Sequence, residues 1–228
     1  MKNLIIIPAR KGSKRVKNKN ITKVNNRPLI YWTVNFAKKI KNKNYDLVVS
    51  SDCKKVEKIC DKENVLFLKR PKKISGDHIS MHEVIFDILK KNSNNYKYII
   101  LLQPTSPLRK LNLVSNAINI LDKKKNFDSL IHLAQDFSFT GKLKKNIWKP
   151  DFSINKRTQD IKNKFIPTGA LYVYRSFLYK QNIKLPKKTY GLVEKNETWI
   201  DIDLESDLEI LDLYLKKAKN KKLLVYNK

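Results

Sequence analysis

Apolar residues recur along this chain in short runs, and the polarity between them changes period. The runs at 4–7, 47–50, 65–68, 98–102, 129–133 and 170–174 are too continuous for half-exposed strands and read as strands buried on both faces. Between several of them lie stretches of helical period, at 28–39, 54–63, 82–91 and 111–121. In the second of these, Val56, Ile59 and Cys60 share one face. Strand and helix alternating through short links predict an α/β fold with a mostly parallel, layered sheet. No internal repeat is visible.

The alternation stops near Asp136. From 136 to 167 the chain is polar, basic and turn-rich, which is compatible with a disordered insert or with an excursion that packs on a second subunit. Phe137, Phe139, Trp148, Phe152 and Phe165 favour packing, because disordered segments are poor in aromatics. Ser206 followed by Glu209 has the capping-box spacing and predicts a last helix running to about residue 219. The whole, residues 1–228, reads as one domain with 136–167 as an arm within it.

Charge sharpens the picture. Of 49 basic residues only 7 are arginine, the other 42 being lysine, and the formal net charge is +28. Such a chain invites nucleic acid as a partner. The cations are spread over its length, however, and lysine, asparagine and isoleucine are all abundant, the pattern of an AT-rich genome. Nucleic acid is therefore not the expected partner, although a basic surface still attracts small anions. No apolar run approaches the roughly 18 residues of a membrane helix. The four-residue apolar run before Pro8 is too short for a signal peptide. Cys53 and Cys60 give neither a disulfide framework nor a metal quartet, so a reduced, cytoplasmic protein is expected.

Three segments carry candidate chemistry. The first strand runs into Pro8 and a basic loop containing Arg10, Gly12, Ser13 and Lys19. Strand ends of this kind hold polyphosphates in α/β proteins. The loop lacks the P-loop and dinucleotide fingerprints, so a solvated basic turn stays open. Asp201 and Asp203 stand two apart, on one face of an extended segment, where two repelling carboxylates suit a shared cation such as Mg²⁺. An ordinary strand end before a helix is the alternative. The string Leu101, Leu102, Gln103, Pro104, Thr105, Ser106, Pro107, Leu108, Arg109 makes a stiff loop after a strong strand. Gln103 at its start offers donors and an acceptor to sugar hydroxyls, against a merely rigid turn. His78 and His82 are four apart but lack the internal glutamate of a zinc motif, and no zinc site is expected.

Taken in order, these segments resemble the CMP-sialic acid synthetases, the acylneuraminate or nonulosonate cytidylyltransferases. The resemblance runs from Ile7 to Lys14, through Lys19, Asn20 and Ile21, Val49 to Asp52, Leu68 to Pro71, the 101–109 string, Gly169 to Tyr172, and Ile200 to Asp203. The 101–109 string also distinguishes the chain from CMP-Kdo synthetases, and pseudaminic acid cytidylyltransferases tend to lack it. The resemblance implies a Rossmann-like nucleotidyltransferase fold with a dimerisation arm. It implies activation of a nine-carbon 2-keto sugar acid, of sialic or legionaminic type, by CTP with Mg²⁺. Kdo or pseudaminic acid is the alternative sugar, and a basic nucleic-acid-binding protein on an inactive scaffold is a different class again. Arg10 and Lys19 would grip the triphosphate, with Gly12 and Ser13 in the loop. Arg70 and Ser80 would lie by the cytosine, Asn20 and Gln103 by the sugar, and Asp201 and Asp203 on the metal. Lys142 and Arg157 would be carried by the arm of a homodimer into the site, Lys142 toward the sugar and Arg157 as a catalytic cation. Lys11, Thr168 and the stretch from Arg157 to Asp160 depart from the usual pattern, which leaves the sugar open.

Overall fold

A computed structural model describes residues 1–220, except 41, 93, 154–156, 159–163, 185 and 194–198. The chain opens with β1 (Lys2–Pro8) and a small hairpin, β2 (Lys23–Val24) with β3 (Arg27–Pro28). Then come α1 (Leu29–Ile40), β4 (Tyr45–Ser51), α2 (Lys54–Glu63), β5 (Leu66–Lys69), α3 (Met81–Lys90), β6 (Tyr96–Leu101), α4 (Leu113–Lys123) and β7 (Ser129–Gln135). A second hairpin, β8 (Gly141–Lys144) and β9 (Ile147–Pro150), precedes β10 (Phe165–Arg175), α5 (Phe177–Lys180), β11 (Thr189–Val193) and α6 (Glu205–Asn220).

Seven strands form one sheet in the order β11-β7-β10-β6-β1-β4-β5. Only β10 is reversed: it pairs antiparallel with both β6 and β7, and the other pairs are parallel. The crossover between β1 and β6 sets two neighbouring strands of like direction with different connections, and their carboxyl ends open a crevice.

The core explains the unbroken apolar runs. Side chains of β1 alternate between two apolar layers, Ile5 and Ile7 with α1, α2 and α4, Leu4 and Ile6 with α3 and α5. All four are 0–1% exposed, and each such residue contributes about 1.5–3 kcal/mol through burial. A third cluster joins Leu29 and Trp32 of α1 to Leu211 and Leu215 of α6, with Ile202 between them. Asn64 closes α2 in the left-handed region at φ 52°, a conformation asparagine tolerates well.

The structure departs from the sequence expectation at the start of the last helix. The last helix begins at Glu205, before Ser206. Its cap comes from Asp207, whose carboxylate accepts from the backbone N–H of Asp203 (2.8 Å) and Leu204 (2.7 Å). Ser80 instead starts α3, in a reciprocal capping box with Glu83. The 136–167 stretch contains strand structure. Its end, from Phe165, is the start of β10 and pairs with Gln135 in the main sheet. Its middle is the β8–β9 hairpin, turned through Lys145 and Asn146 at φ 47° and 65°. None of the described helices is long and apolar enough to cross a membrane.

Candidate active site

The loop after β1, the stiff loop after β6 and the segment before α6 converge on one crevice of about 280 Å³. Arg10, Ser13, Lys19 and Asn20 line it from the first, Gln103, Pro104 and Thr105 from the second, and Asp201 and Asp203 from the third, with Arg70 and Met81 closing it.

Each group is there for a local reason. Pro8 ends β1, and the chain leaves the sheet with Ala9 N–H donating to the Ser50 carbonyl at 2.9 Å. Asn20 ties the loop back on itself by donating to the Arg10 carbonyl at 3.0 Å. Lys19, with only 11% of its side chain exposed, bonds to the Ile202 carbonyl and pairs with Asp203 at 3.2 Å. Arg15 pairs with the other Asp203 oxygen at 2.7 Å. Arg10 and Lys14 both pair with Asp77, Lys14 at 2.9 Å. Arg70 is 5% exposed and donates to the Ser50 carbonyl at 3.0 Å and its hydroxyl at 3.3 Å. Burial pulls its guanidinium down to about 10, still charged at neutral pH.

The carboxylate side is built from behind. Ile202 N–H donates to the Thr105 carbonyl at 2.8 Å, and its side chain is fully buried. The neighbours on either side, Asp201 and Asp203, therefore turn the other way, into the crevice. The segment belongs to no strand of the sheet. The Ser106 hydroxyl lies between the Thr168 carbonyl (2.7 Å) and Asp201 (3.1 Å). Thr168 is itself held by His132, with Nδ1 and Oγ1 2.7 Å apart. Burial, then the nearby Asp201 charge, push the Tyr172 phenol up. Two carboxylates facing a polar crevice are a hard oxygen donor set that fits Mg²⁺ sharing its shell with phosphate and water. Among the described residues no third His, Cys, Asp or Glu joins such a group.

The structure thus brings eight of the expected residues together: Arg10, Ser13, Lys19, Asn20, Arg70, Gln103, Asp201 and Asp203. Gly12 sits beside them, and a Cβ there would lie 3.7 Å from the Arg10 guanidinium. Ser80 is not in the crevice lining; its hydroxyl bonds to Glu83 at 2.8 Å in the cap of α3. Lys142, on β8, and Arg157 are exposed, also outside that lining. His82 stacks between Phe86 and Tyr179, centroids 6.3 and 5.0 Å away, as a packing residue. Sequence reasoning gave no role to Ser106, Thr168 and Asp77, which bond to Asp201, Ser106 and Arg10 respectively. Arg109, at the end of the quoted string, is a buried brace: it donates to the carbonyls of Ala170 and Gln103, both at 2.7 Å, and to Thr33 at 3.0 Å.

Cations from a strand-end loop facing two carboxylates across the carboxyl edge of a mostly parallel sheet mark an α/β protein of the nucleotidyltransferase class. The match to known proteins is more particular: residues 4–227 fit the cytidylyltransferase family, and the chain belongs to it. It is 26% identical over 218 residues to an N-acylneuraminate cytidylyltransferase of Streptococcus agalactiae, covering 91% of this chain and 52% of that protein. It is 28% identical over 230 residues to a pseudaminic acid cytidylyltransferase of Campylobacter jejuni, covering 95% and 97% respectively. The chain spans about half the length of the first relative and nearly all of the second. Among solved structures, a CMP:2-keto-3-deoxy-manno-octonic acid synthetase complexed with CTP superposes with a TM-score of 0.66 at 15% identity, over 95% of this chain and 99% of that one. A 4-diphosphocytidyl-2C-methyl-D-erythritol synthase from Anaerococcus prevotii does so at 0.67 and 13% identity, over 94% and 96%. At such identities these two establish the fold.

Proposed function

We propose that this chain transfers the cytidylyl group of CTP to a nine-carbon 2-keto sugar acid, releasing pyrophosphate. The observation that carries the reading is the meeting of Arg10, Lys19, Gln103, Asp201 and Asp203 in one crevice from three distant parts of the chain. In the reaction the anomeric oxygen forms a bond to the α-phosphorus, the bond to the β-phosphate oxygen breaks, and the hydroxyl proton passes to water. Both reactants are anionic, so the protein's main task is to cancel charge and hold position.

Arg10 and Lys19 would stabilise the charge that builds on the leaving pyrophosphate. Arg70, anchored on Ser50, holds a fixed charge at the floor for the nucleotide. Asn20 and Gln103 present amides suited to sugar hydroxyls or the nucleotide. Asp201 and Asp203 would hold Mg²⁺, which when bound supplies charge neutralisation at phosphate oxygens. Ser106 keeps Asp201 aimed at that position. The sialic-type relative supports a sialic or legionaminic acid substrate. The end-to-end match with the Campylobacter relative supports pseudaminic acid as a second reading.

Pyrophosphate release from CTP and Mg²⁺ is the test, with N-acetylneuraminate, legionaminate, pseudaminate and Kdo supplied in turn. Release with one nine-carbon acid is expected. Release with Kdo alone would move the substrate to the eight-carbon acids, and no CTP binding at all would overturn the reading. Asp201→Ala is expected to lower turnover by about 10²-fold or more, the scale of losing one group that stabilises transition-state charge, while circular dichroism stays unchanged.

A further inference from the structure

The basic loop after β1 is not simply solvated. Four of its cations are shared between two carboxylates: Arg15 and Lys19 go to Asp203, and Arg10 and Lys14 go to Asp77. Asp77 is the one acidic residue between Glu63 and Glu83, in a stretch that also carries Lys69, Arg70, Lys72 and Lys73. Its segment is fixed at both ends. The Ser75 hydroxyl donates to the Pro71 carbonyl at 2.9 Å, and Ser80 is locked in the cap of α3. Gly76 is closely approached by the His78 ring, which a Cβ would meet at 2.9 Å. The chain on either side of Asp77 is therefore anchored, and the partners of its carboxylate are the long side chains of Arg10 and Lys14.

We propose that Asp77 is an internal competitor for phosphate: it occupies Arg10, one of the two cations assigned to the triphosphate, together with the neighbouring Lys14, and is displaced when a polyphosphate enters. This rests on the cytidylyltransferase reading and adds to it a residue that sets nucleotide and pyrophosphate affinity.

The physical case is one of unequal acceptors. The Arg10 and Asp77 side chains are 35% and 39% exposed and Lys14 is 78% exposed. Ion pairs this open are weak, because water screens them. A terminal phosphate carries more charge and more acceptor oxygens than one carboxylate and matches the guanidinium fork. The exchange is therefore favourable but smaller than the full attraction of Arg10 for phosphate, which keeps pyrophosphate from being held too long. The neighbouring Lys14, then Arg10, hold the Asp77 carboxyl below the usual carboxylate range, so it stays an acceptor throughout the neutral range.

Asp77→Asn keeps the size of the side chain and removes its charge. Calorimetric titration of the full chain with CTP, pyrophosphate and cytidine is the experiment. About five-fold tighter binding of CTP and of pyrophosphate is expected, the size of losing weak exposed pairs, with cytidine binding unchanged. Equal or weaker pyrophosphate binding in the variant would overturn the competitor role, and parallel changes for cytidine would show a general structural effect instead. Tighter pyrophosphate in the variant, with CTP bound by neither protein, would uphold the competition and sink the nucleotide reading. Unchanged pyrophosphate affinity with normal CTP binding does the reverse.

Discussion

At the residue scale, the position that most constrains the site is one with no side chain. Gly169 has φ +74°, in the left-handed region, and a Cβ there would fall on the Ser106 hydroxyl and within 2.6 Å of Gln103 Oε1. Both neighbours face the crevice chemistry, Gln103 directly and Ser106 through Asp201. Gly169→Ala is therefore expected to cost stability through backbone strain and to dislodge both polar groups. Strain of this kind costs about 2 kcal/mol, or roughly 4–8 °C in Tm for a chain of this size. Thermal melting measures the first effect, and turnover with CTP and the accepted sugar acid measures the second. A variant with native Tm and native turnover would show that the loop simply shifts aside. In the sequence the glycine stands out only as the first residue of the 169–172 segment. Nothing local announces that its neighbours across space are Ser106 and Gln103, some sixty positions away.

At the element scale, the helices and strands that were legible are those whose burial is set by their own period. The runs at 4–7 and 47–50 fall inside β1 and β4, and α2 falls where its apolar face and its Asn64 stop place it. The direction of β10 was not legible, since an antiparallel strand buried on both faces has the same apolar run as a parallel one. β11 escaped notice because Thr189 to Val193 alternates weakly around a glycine. The two helix starts show the same limit. Ser80 and Glu83 have capping-box spacing, as do Ser206 and Glu209, yet only the first forms the box. At α6 the competing tertiary contact is the buried Ile202, which fixes where the chain enters the helix, so the acid in register is Asp207. Asp207→Ala should therefore do two things. Losing a capping carboxylate costs about 1 kcal/mol, readable as a lower urea midpoint with unchanged slope. Freeing the Asp203 backbone should also weaken its aim and lower turnover. A stability loss with turnover intact would show that Arg15 and Lys19 alone suffice to hold Asp203.

At the scale of the whole molecule, the hairpin is the feature the rest of the fold does not explain. β8 and β9 form a two-stranded sheet by themselves, and such ribbons are marginal in water unless something covers them. Phe139, Phe152 and Trp148 cluster at its base, with the two phenylalanine centroids 4.2 Å apart, yet Leu143, Ile147 and Trp148 remain 70%, 74% and 52% exposed. Leu143 pairs across the ribbon with Trp148, giving one apolar face, while Lys142 pairs with Lys149. Directly opposed like charges are unfavourable, and an anionic surface or ligand would relieve them. An apolar face and a cationic pair on one projecting ribbon fit a second copy of this chain, whose own crevice binds anions. We propose a homodimer in which this hairpin is the exchanged arm. Sedimentation of the full chain should then give twice the 26.8 kDa of one copy. Leu143→Ser combined with Trp148→Ser should give a monomer with a near-native Tm, since neither side chain belongs to the three buried clusters. If Lys142 works from the neighbouring copy, that monomer should also lose turnover while still binding CTP. A wild-type chain that sediments as a monomer and turns over normally would exclude the shared site and leave the hairpin without an explanation from assembly.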